Sequence, residues 1–425
     1  MKKAISFLGK GQYKEVIYVW EDKQARTHLF PEAVAEIFQP EEVIILLTPS
    51  AKNYRPPKRE QCPECNQGLP EPLEEETYWE TLQKRLKDKV KLKEREIPEG
   101  KSEGELWEIF DICTQVVEKG DEVILDITHA FRSLPLIVFT AAVYLERVKG
   151  AKIKAILYGA YEAREEDIVP IFDLTKLIDL FDWMIGVEFL RQRSDAAFLA
   201  ERIAETQNKI WKEEQPGEKP TKLKKLGEGL KRVSQALQLL RPLKVMEFSQ
   251  ELLPLFEQAS GEVKTWAKPF GVVLDEVKRE IKELAYECDS QKLTGENLRR
   301  QLAIIRHYID KGRYTEGILL TREWIVDFVA YKNLKEEWLD RDYRTNTIEL
   351  ALNSSLKKKK GEEALVPEWF EQLAESEKLV KLWGQIRDLR NSIAHCGKTK
   401  GAQEIPTSIE KQLKEIYSML EKLLD

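Results

Sequence analysis

Most features that would place a chain in a class at once are missing here. Among 425 residues there are five cysteines, Cys62, Cys65, Cys113, Cys288 and Cys396, an odd number without a paired framework. That excludes a small disulfide-built scaffold. No apolar run approaches the roughly 18 residues of a membrane span, so no membrane is expected among the partners. Positive charge is not in excess: 68 Lys and Arg stand against 74 Asp and Glu, a net charge of −6. Without a bulk electrostatic pull, any nucleic-acid site has to be a local positive cleft. The opening residues, Met1-Lys2-Lys3-Ala4-Ile5-Ser6-Phe7-Leu8-Gly9, run directly into a strand-like segment with no signal-peptide cleavage region. The expected location is the cytoplasm.

What is present is charge, at 33% and rich in Lys and Glu, beside an ordinary apolar content of 42%. Lys and Glu enrichment is a thermophile tendency. The length predicts two or three domains. Cys62-Pro63-Glu64-Cys65 has zinc-knuckle spacing, but a second pair is missing and a structural zinc takes four ligands. A site completed across a dimer and an irregular loop both remain open, and no metal is assigned.

The first part alternates strands and helices. Strand-like runs stand at 4–8, 15–20, 42–47, 90–97, 122–127, 152–158 and 169–172, with helical patterns at 31–38, 75–86, 103–118 and 134–148. Fully apolar strands separated by helices predict a parallel, doubly wound sheet. Such sheets bind ligands beyond the carboxyl ends of their strands. Two strand ends look built for that, at Gly9–Gly11 and at Asp126–Pro135. Gly9-Lys10-Gly11 lets backbone approach a ligand closely, and Thr48-Pro49-Ser50 closes the run Val43-Ile44-Ile45-Leu46-Leu47. Asp126-Ile127-Thr128-His129-Ala130-Phe131-Arg132-Ser133-Leu134-Pro135 follows a buried strand and leads into a helix. It gathers a hydroxyl, an imidazole and a guanidinium where an anion would sit. Thr128 and Ser133 have helix capping as their bland explanation; His129 and Arg132 in the same turn do not.

That stretch resembles the D-x-T-H-G signature of CRISPR-associated proteins with a CARF domain, a Rossmann-like sensor. Ala130 stands where the family usually has glycine. The resemblance covers roughly the first 185 residues. It implies that cyclic oligoadenylate, with tetra-adenylate the expected ring, binds near Gly9, Gly11, Thr48, Thr128, His129 and Arg132.

Beyond Trp183 the pattern is helix after helix, at 187–212, 226–240, 245–259, 262–285, 296–311, 314–331, 376–396 and 408–424. A Pro/Gly/Lys linker covers 213–224 and a charged irregular region 332–362. Near the end stands Arg387-Asp388-Leu389-Arg390-Asn391-Ser392-Ile393-Ala394-His395-Cys396-Gly397. Leu382, Trp383, Ile386, Leu389 and Ile393 mark an amphipathic helix, and Gly397 is suited to the left-handed stop. Arg387, Asn391 and His395 share a face, whereas Arg390 lies about 140° from His395. Such a polar stripe is common on solvated helices.

The helical part resembles the HEPN ribonuclease domain. Its R-x4-6-H motif matches Arg390 and His395, with Asn391 at the frequently polar second position. Lys311-Gly312-Arg313-Tyr314-Thr315-Glu316-Gly317 and Arg322-Glu323-Trp324 are similar to what precedes that motif in CARF–HEPN proteins. The fold expected is an α/β Rossmann-like CARF domain (1–185), an all-α linker region (186–295) and an all-α HEPN domain (296–425). RNA can be cut without metal or cofactor, because its 2′-OH attacks the adjacent phosphate. Arg390 suits the phosphate, His395 moves protons near neutral pH, and Asn391 orients either. The resemblance implies two copies meeting in a homodimer, single-stranded RNA as substrate, and activation by the cyclic ligand in type III CRISPR defence. Two rivals stand beside this reading. A sensor controlling transcription or a partner would shift promoter DNA whatever stands at residue 395. A sensor that degrades its own ring would yield linear adenylate with His395→Ala.

Overall fold

The computed structural model describes residues 1–57, 74–129, 133–212, 217–287, 289–333, 337–398 and 406–424. Cys62, Cys65, Cys288, Ala130, Phe131 and Arg132 lie outside the described residues, as does 213–216 of the linker. The chain divides into two units, Met1–Leu180 and Phe181–Asp425. The division falls inside helix Lys176–Arg193.

The first unit is built on eight strands: β1 (Lys2–Phe7), β2 (Val16–Trp20), β3 (Lys23–Thr27), β4 (Glu42–Leu47), β5 (Lys91–Glu96), β6 (Glu122–Asp126), β7 (Lys152–Gly159) and β8 (Ile168–Asp173). Their order across the sheet is β3-β2-β8-β7-β6-β1-β4-β5. Five neighbours, from β5 through β4, β1 and β6 to β7, are parallel. The expectation of a purely parallel sheet needs correction at the other edge. There β8 runs antiparallel to β7, β2 is parallel to β8, and β3 closes a hairpin antiparallel to β2. β3, Lys-Gln-Ala-Arg-Thr, has too little apolar content to be read as a strand; as an edge it needs to bury only Ala25 and Thr27.

β4 is buried at all six positions because helices cover both faces. Its residues alternate between two cores. Val43, Ile45 and Leu47 join Ala4, Phe30, Val34 and Leu82, while Ile44 and Leu46 join Ile5, Phe7, Ile109 and Val138. The first face is covered by α1 (Phe30–Phe38) and, beyond the short α2 (Pro49–Lys52), by α3 (Tyr78–Leu86). The second is covered by α4 (Glu103–Gln115) and α5 (Leu134–Tyr144), which ends in a wider turn at Leu145–Lys149. A capping box at Thr77 and Glu80 opens α3, and the Ser102 hydroxyl accepts the Glu105 N–H at the start of α4.

The second unit is helical throughout its described residues, around one apolar core that runs from Trp183 to Leu423. Helix Tyr314–Lys332 is its axis, buried on nearly every side. Trp324 lies fully inside and its indole N–H donates to the Leu298 carbonyl at 2.9 Å. Three expectations are corrected here. The single helix 187–212 is two, Lys176–Arg193 and Ala197–Lys212, broken where Ser194 takes φ +56°. Helices 245–259 and 262–285 are instead Pro242–Trp266, with Pro254 accommodated inside it, then Lys268–Gly271 and Leu274–Leu284. The charged region 332–362 is mostly helical, over Arg341–Tyr343, Arg344–Glu349 and Leu350–Lys359. Its charges are not all solvent-facing: Arg344 turns inward to Asp327 at 2.5 Å and Glu323 at 2.8 Å.

Candidate functional site

β4 and β6 follow β1 in sequence on opposite sides of it, so the strand order reverses at β1 and leaves a crevice beyond its carboxyl end. The loop after β1 and the turn after β6 meet there. Gly9, Gly11, Thr128 and His129, far apart in sequence, are thus gathered at one place. A Cβ on Gly9 would lie 3.0 Å from the His129 carbonyl oxygen, which measures how closely the two segments approach.

Asp126 anchors the turn from beneath. It is fully buried, and its carboxylate accepts the Ser6 hydroxyl and the Thr128 N–H, the latter at 2.7 Å. Burial pushes its pKa up to about 6, against the pull of the hydrogen bonds from Ser6 and Thr128. The Thr128 hydroxyl is held rather than presented: it bonds the Asp126 carboxylate and accepts the Gly159 N–H at 2.8 Å. Gly159 itself has no room for a Cβ, which would come within 2.9 Å of Phe30 and 2.8 Å of Tyr18.

The His129 Nε2 accepts the N–H of Phe30, the first residue of α1, at 3.3 Å. That contact assigns the ring proton to Nδ1. Burial first, and then the neighbouring His28, push the imidazole pKa down to about 3, so the ring is neutral. As a hydrogen-bond donor it therefore offers only Nδ1–H. Its ring face is covered by Tyr13, stacked with centroids 3.9 Å apart. Tyr13 stacks on Tyr78 as well, at 4.9 Å, and its hydroxyl accepts the Gly9 N–H at 3.0 Å. Tyr54 and His28 flank Tyr78.

Thr48 leaves the sheet at the same end, two residues past the register pair Phe7–Leu46. Its hydroxyl caps α2 through the Ala51 N–H at 3.2 Å. Ser133, at the start of α5, makes no side-chain cap. Arg132 lies outside the described residues.

The second set of residues lies in the helical unit. Arg390 and Asn391 end helix Ser376–Ala394, and the Arg390 guanidinium donates to the Asn391 side-chain oxygen at 3.2 Å. His395 is the exposed C-cap. The stop is a Schellman motif: Gly397 N–H reaches the Ser392 carbonyl at 2.8 Å and Cys396 N–H that of Ile393 at 2.9 Å. The left-handed conformation expected at Gly397 is present there, φ +66°, but also at Cys396, φ +53°. Inside, Trp383 carries the Arg322 guanidinium over its ring at 4.9 Å, and Arg322 also pairs with Glu323 and Glu349. The helix bearing the motif is therefore fixed to Tyr314–Lys332 by charge as well as by packing.

The aromatic cluster and the Ser6–Asp126 contact were not legible as a site. A lone serine in the apolar run Ala4-Ile5-Ser6-Phe7 was the available signal.

Among the described residues no group of three or more His, Cys, Asp or Glu could hold a metal, and no helix is long and apolar enough to cross a membrane. Residues 3–162 match the family described as the CARF domain of the CRISPR system endoribonuclease Csx1. Over 330 residues the chain is 24% identical to the CRISPR-associated protein MJ1674 of Methanocaldococcus jannaschii. That match takes in 76% of this chain and 45% of the relative, so the chain spans about half the length of that protein. Enterococcus italicus Csm6 bound to cyclic hexa-2′-fluoro-hexa-dAMP is similar at 13% identity over 100% of this chain and 93% of its own. Its TM-score of 0.38 is too low to bear on the site. The comparisons support a CARF-containing, CRISPR-associated protein.

Proposed function

We propose that this protein is an endoribonuclease that needs no metal and is activated by cyclic oligoadenylate in type III CRISPR defence. The observation that carries the reading is the crevice at β1. It lies within the segment that matches the CARF domain of an endoribonuclease, and it gathers Gly9, Gly11, Thr128 and His129 at one strand end. Thr48 stands at the neighbouring strand end, and Arg132 belongs to the same set by sequence. The ring is read as tetra-adenylate.

Cleavage is assigned to Arg390, Asn391 and His395. The RNA 2′-OH attacks the adjacent phosphorus and gives up its proton, and the bond to the 5′-oxygen breaks as that oxygen gains one. The products carry 2′,3′-cyclic phosphate and 5′-OH ends. His395 moves the proton, Arg390 stabilises charge on the phosphorane, and Asn391 positions the imidazole or the substrate. Arg390 and His395 diverge round their own helix, so two chains in a homodimer are read as completing one site. The activator must bind the active arrangement better than the inactive one.

The test is cleavage of a fluorogenic single-stranded RNA in chelator, with cyclic tetra- or hexa-adenylate added. Activation by one ring is expected, with His395→Ala reducing the activated rate by at least about 100-fold while ring binding is kept. The reading is wrong if neither ring raises cleavage, or if His395→Ala cuts as well as its parent.

A further inference from the structure

The Tyr13 side chain packs at the margin of the core on one face of the sheet, but that packing does not account for how its ring is held. It belongs to the segment between β1 and β2, which carries no regular structure, and it is only half-buried. Yet its phenol is held on both faces. Tyr78 lies on one side, with centroids 4.9 Å apart and planes 27° apart, and His129 on the other, at 3.9 Å and 26°. The edge of the ring is satisfied too, because the Gly9 N–H donates to the phenol oxygen at 3.0 Å. The two walls have anchors other than the Tyr13 ring, although the Tyr78 hydroxyl also accepts the Tyr13 backbone N–H at 3.2 Å. Tyr78 is buried and its hydroxyl donates to the Gly11 carbonyl at 3.0 Å, while His129 is bonded to the Phe30 N–H.

We infer that the space between Tyr78 and His129 is a nucleobase subsite, occupied in the ligand-free protein by the chain's own Tyr13 ring. The dimensions are those of a stacked planar ring. The directional groups at its edge are the backbone N–H groups of Gly9 and Gly11, which ask for an acceptor. Adenine carries ring nitrogens that accept at its edge, so it replaces the phenol without leaving Gly9 N–H unpaired. A neutral imidazole wall suits an uncharged base better than a phosphate. Gly9 is needed for closeness: a Cβ there would stand 2.7 Å from the Tyr13 hydroxyl, and as close to any acceptor that took its place. Binding thus exchanges one ring for another, and Tyr13 lowers the apparent affinity by the fraction of molecules in which it fills the slot.

This inference rests on the reading that the β1 crevice takes cyclic adenylate, and the experiment separates the two. Isothermal titration of cyclic tetra-adenylate is run on the parent, Tyr13→Phe and Tyr13→Ala proteins, each first checked for its parent thermal transition. Tyr13→Ala empties the slot and is expected to bind about fivefold tighter, with Tyr13→Phe, which keeps the stack and loses only the backbone contacts of the hydroxyl, in between. A residue that merely built the binding surface would weaken binding on truncation. Equal or weaker binding by both variants, with the parent still binding, overturns the subsite and leaves the proposed function standing. No binding by any of the three sinks both. Should Tyr13→Ala lose its fold, Tyr13→Phe alone decides, since it keeps the stack and must still gain.

Discussion

Asp126→Asn tests how the turn after β6 is held. Asp126 is fully buried, and burial raises its pKa from 3.8 to about 6 in spite of the hydrogen bonds it accepts. The folded state therefore holds the proton more tightly than the unfolded chain. Stability from this group is complete below pH 3.8, falls as pH rises toward about 6, and is absent above that. The shift amounts to about 3 kcal/mol, an order-of-magnitude value that needs no discount for solvent because the group is inside. Asparagine has no charge to bury. Its oxygen accepts the Thr128 N–H and its amide donates to the Ser6 hydroxyl, so the exchange of partners adds a pH-independent offset of about 1 kcal/mol. The assay is hydrogen exchange with mass spectrometry on peptides covering β1 and β6, comparing the two proteins at the same pH so that intrinsic rates cancel. The protection ratio, variant over parent, is expected to grow by about 100-fold from roughly pH 4 to pH 7 and then level off. A ratio that does not move with pH refutes the reasoning: Asp126 would then be ionised at no cost.

Two further outcomes concern the helical unit. Asp327→Ala leaves Arg344 with Glu323 and the Trp338 carbonyl and is expected to cost about 3 kcal/mol, read as lost exchange protection in helix Tyr314–Lys332. Replacing Asp327 and Arg344 together with leucine and methionine should cost less than that single change, and a larger loss in the double variant would contradict it. Cys396→Gly relieves a left-handed non-glycine residue and is expected to gain about 0.5 kcal/mol, seen as slower exchange at the end of helix Ser376–Ala394. Faster exchange there would mean that Cys396 carries no strain.

Legibility followed the range of the interactions. β4, all apolar, is recovered to the residue because burial on both faces writes itself into every position. Helix Tyr314–Lys332 and the stop near His395 are equally local, one a helix-length stretch rich in Ile, Leu, Val, Trp and Phe and the other a turn with Gly397 beside it. Charge misled in the opposite direction. The segment from Lys332 to Glu362 reads as a solvated loop, but Arg344 there is drawn in by Asp327 and Glu323 from another helix. β3 has no period of its own and exists because β2 supplies its hydrogen bonds. Thr48 caps a helix, whereas Thr128, for which capping was the bland explanation, bonds Asp126 and Gly159 instead, and Ser133 makes no side-chain cap.

The sequence by itself determined the alternation of strands and helices in the first unit, the helical second unit, and the two polar stretches at Thr128–Arg132 and Arg390–His395. Periodicity, capping and glycine placement act within a few residues, so they are written in order along the chain. Only the tertiary structure decided that Gly9 and His129 face each other at one strand end. It also decided that Tyr13 lies between His129 and Tyr78, and that the His129 Nε2 is already given to Phe30. Those pairings join residues as far apart as Ser6 and Asp126. They are set by strand order and by which face each side chain must bury, and neither leaves a local pattern to read.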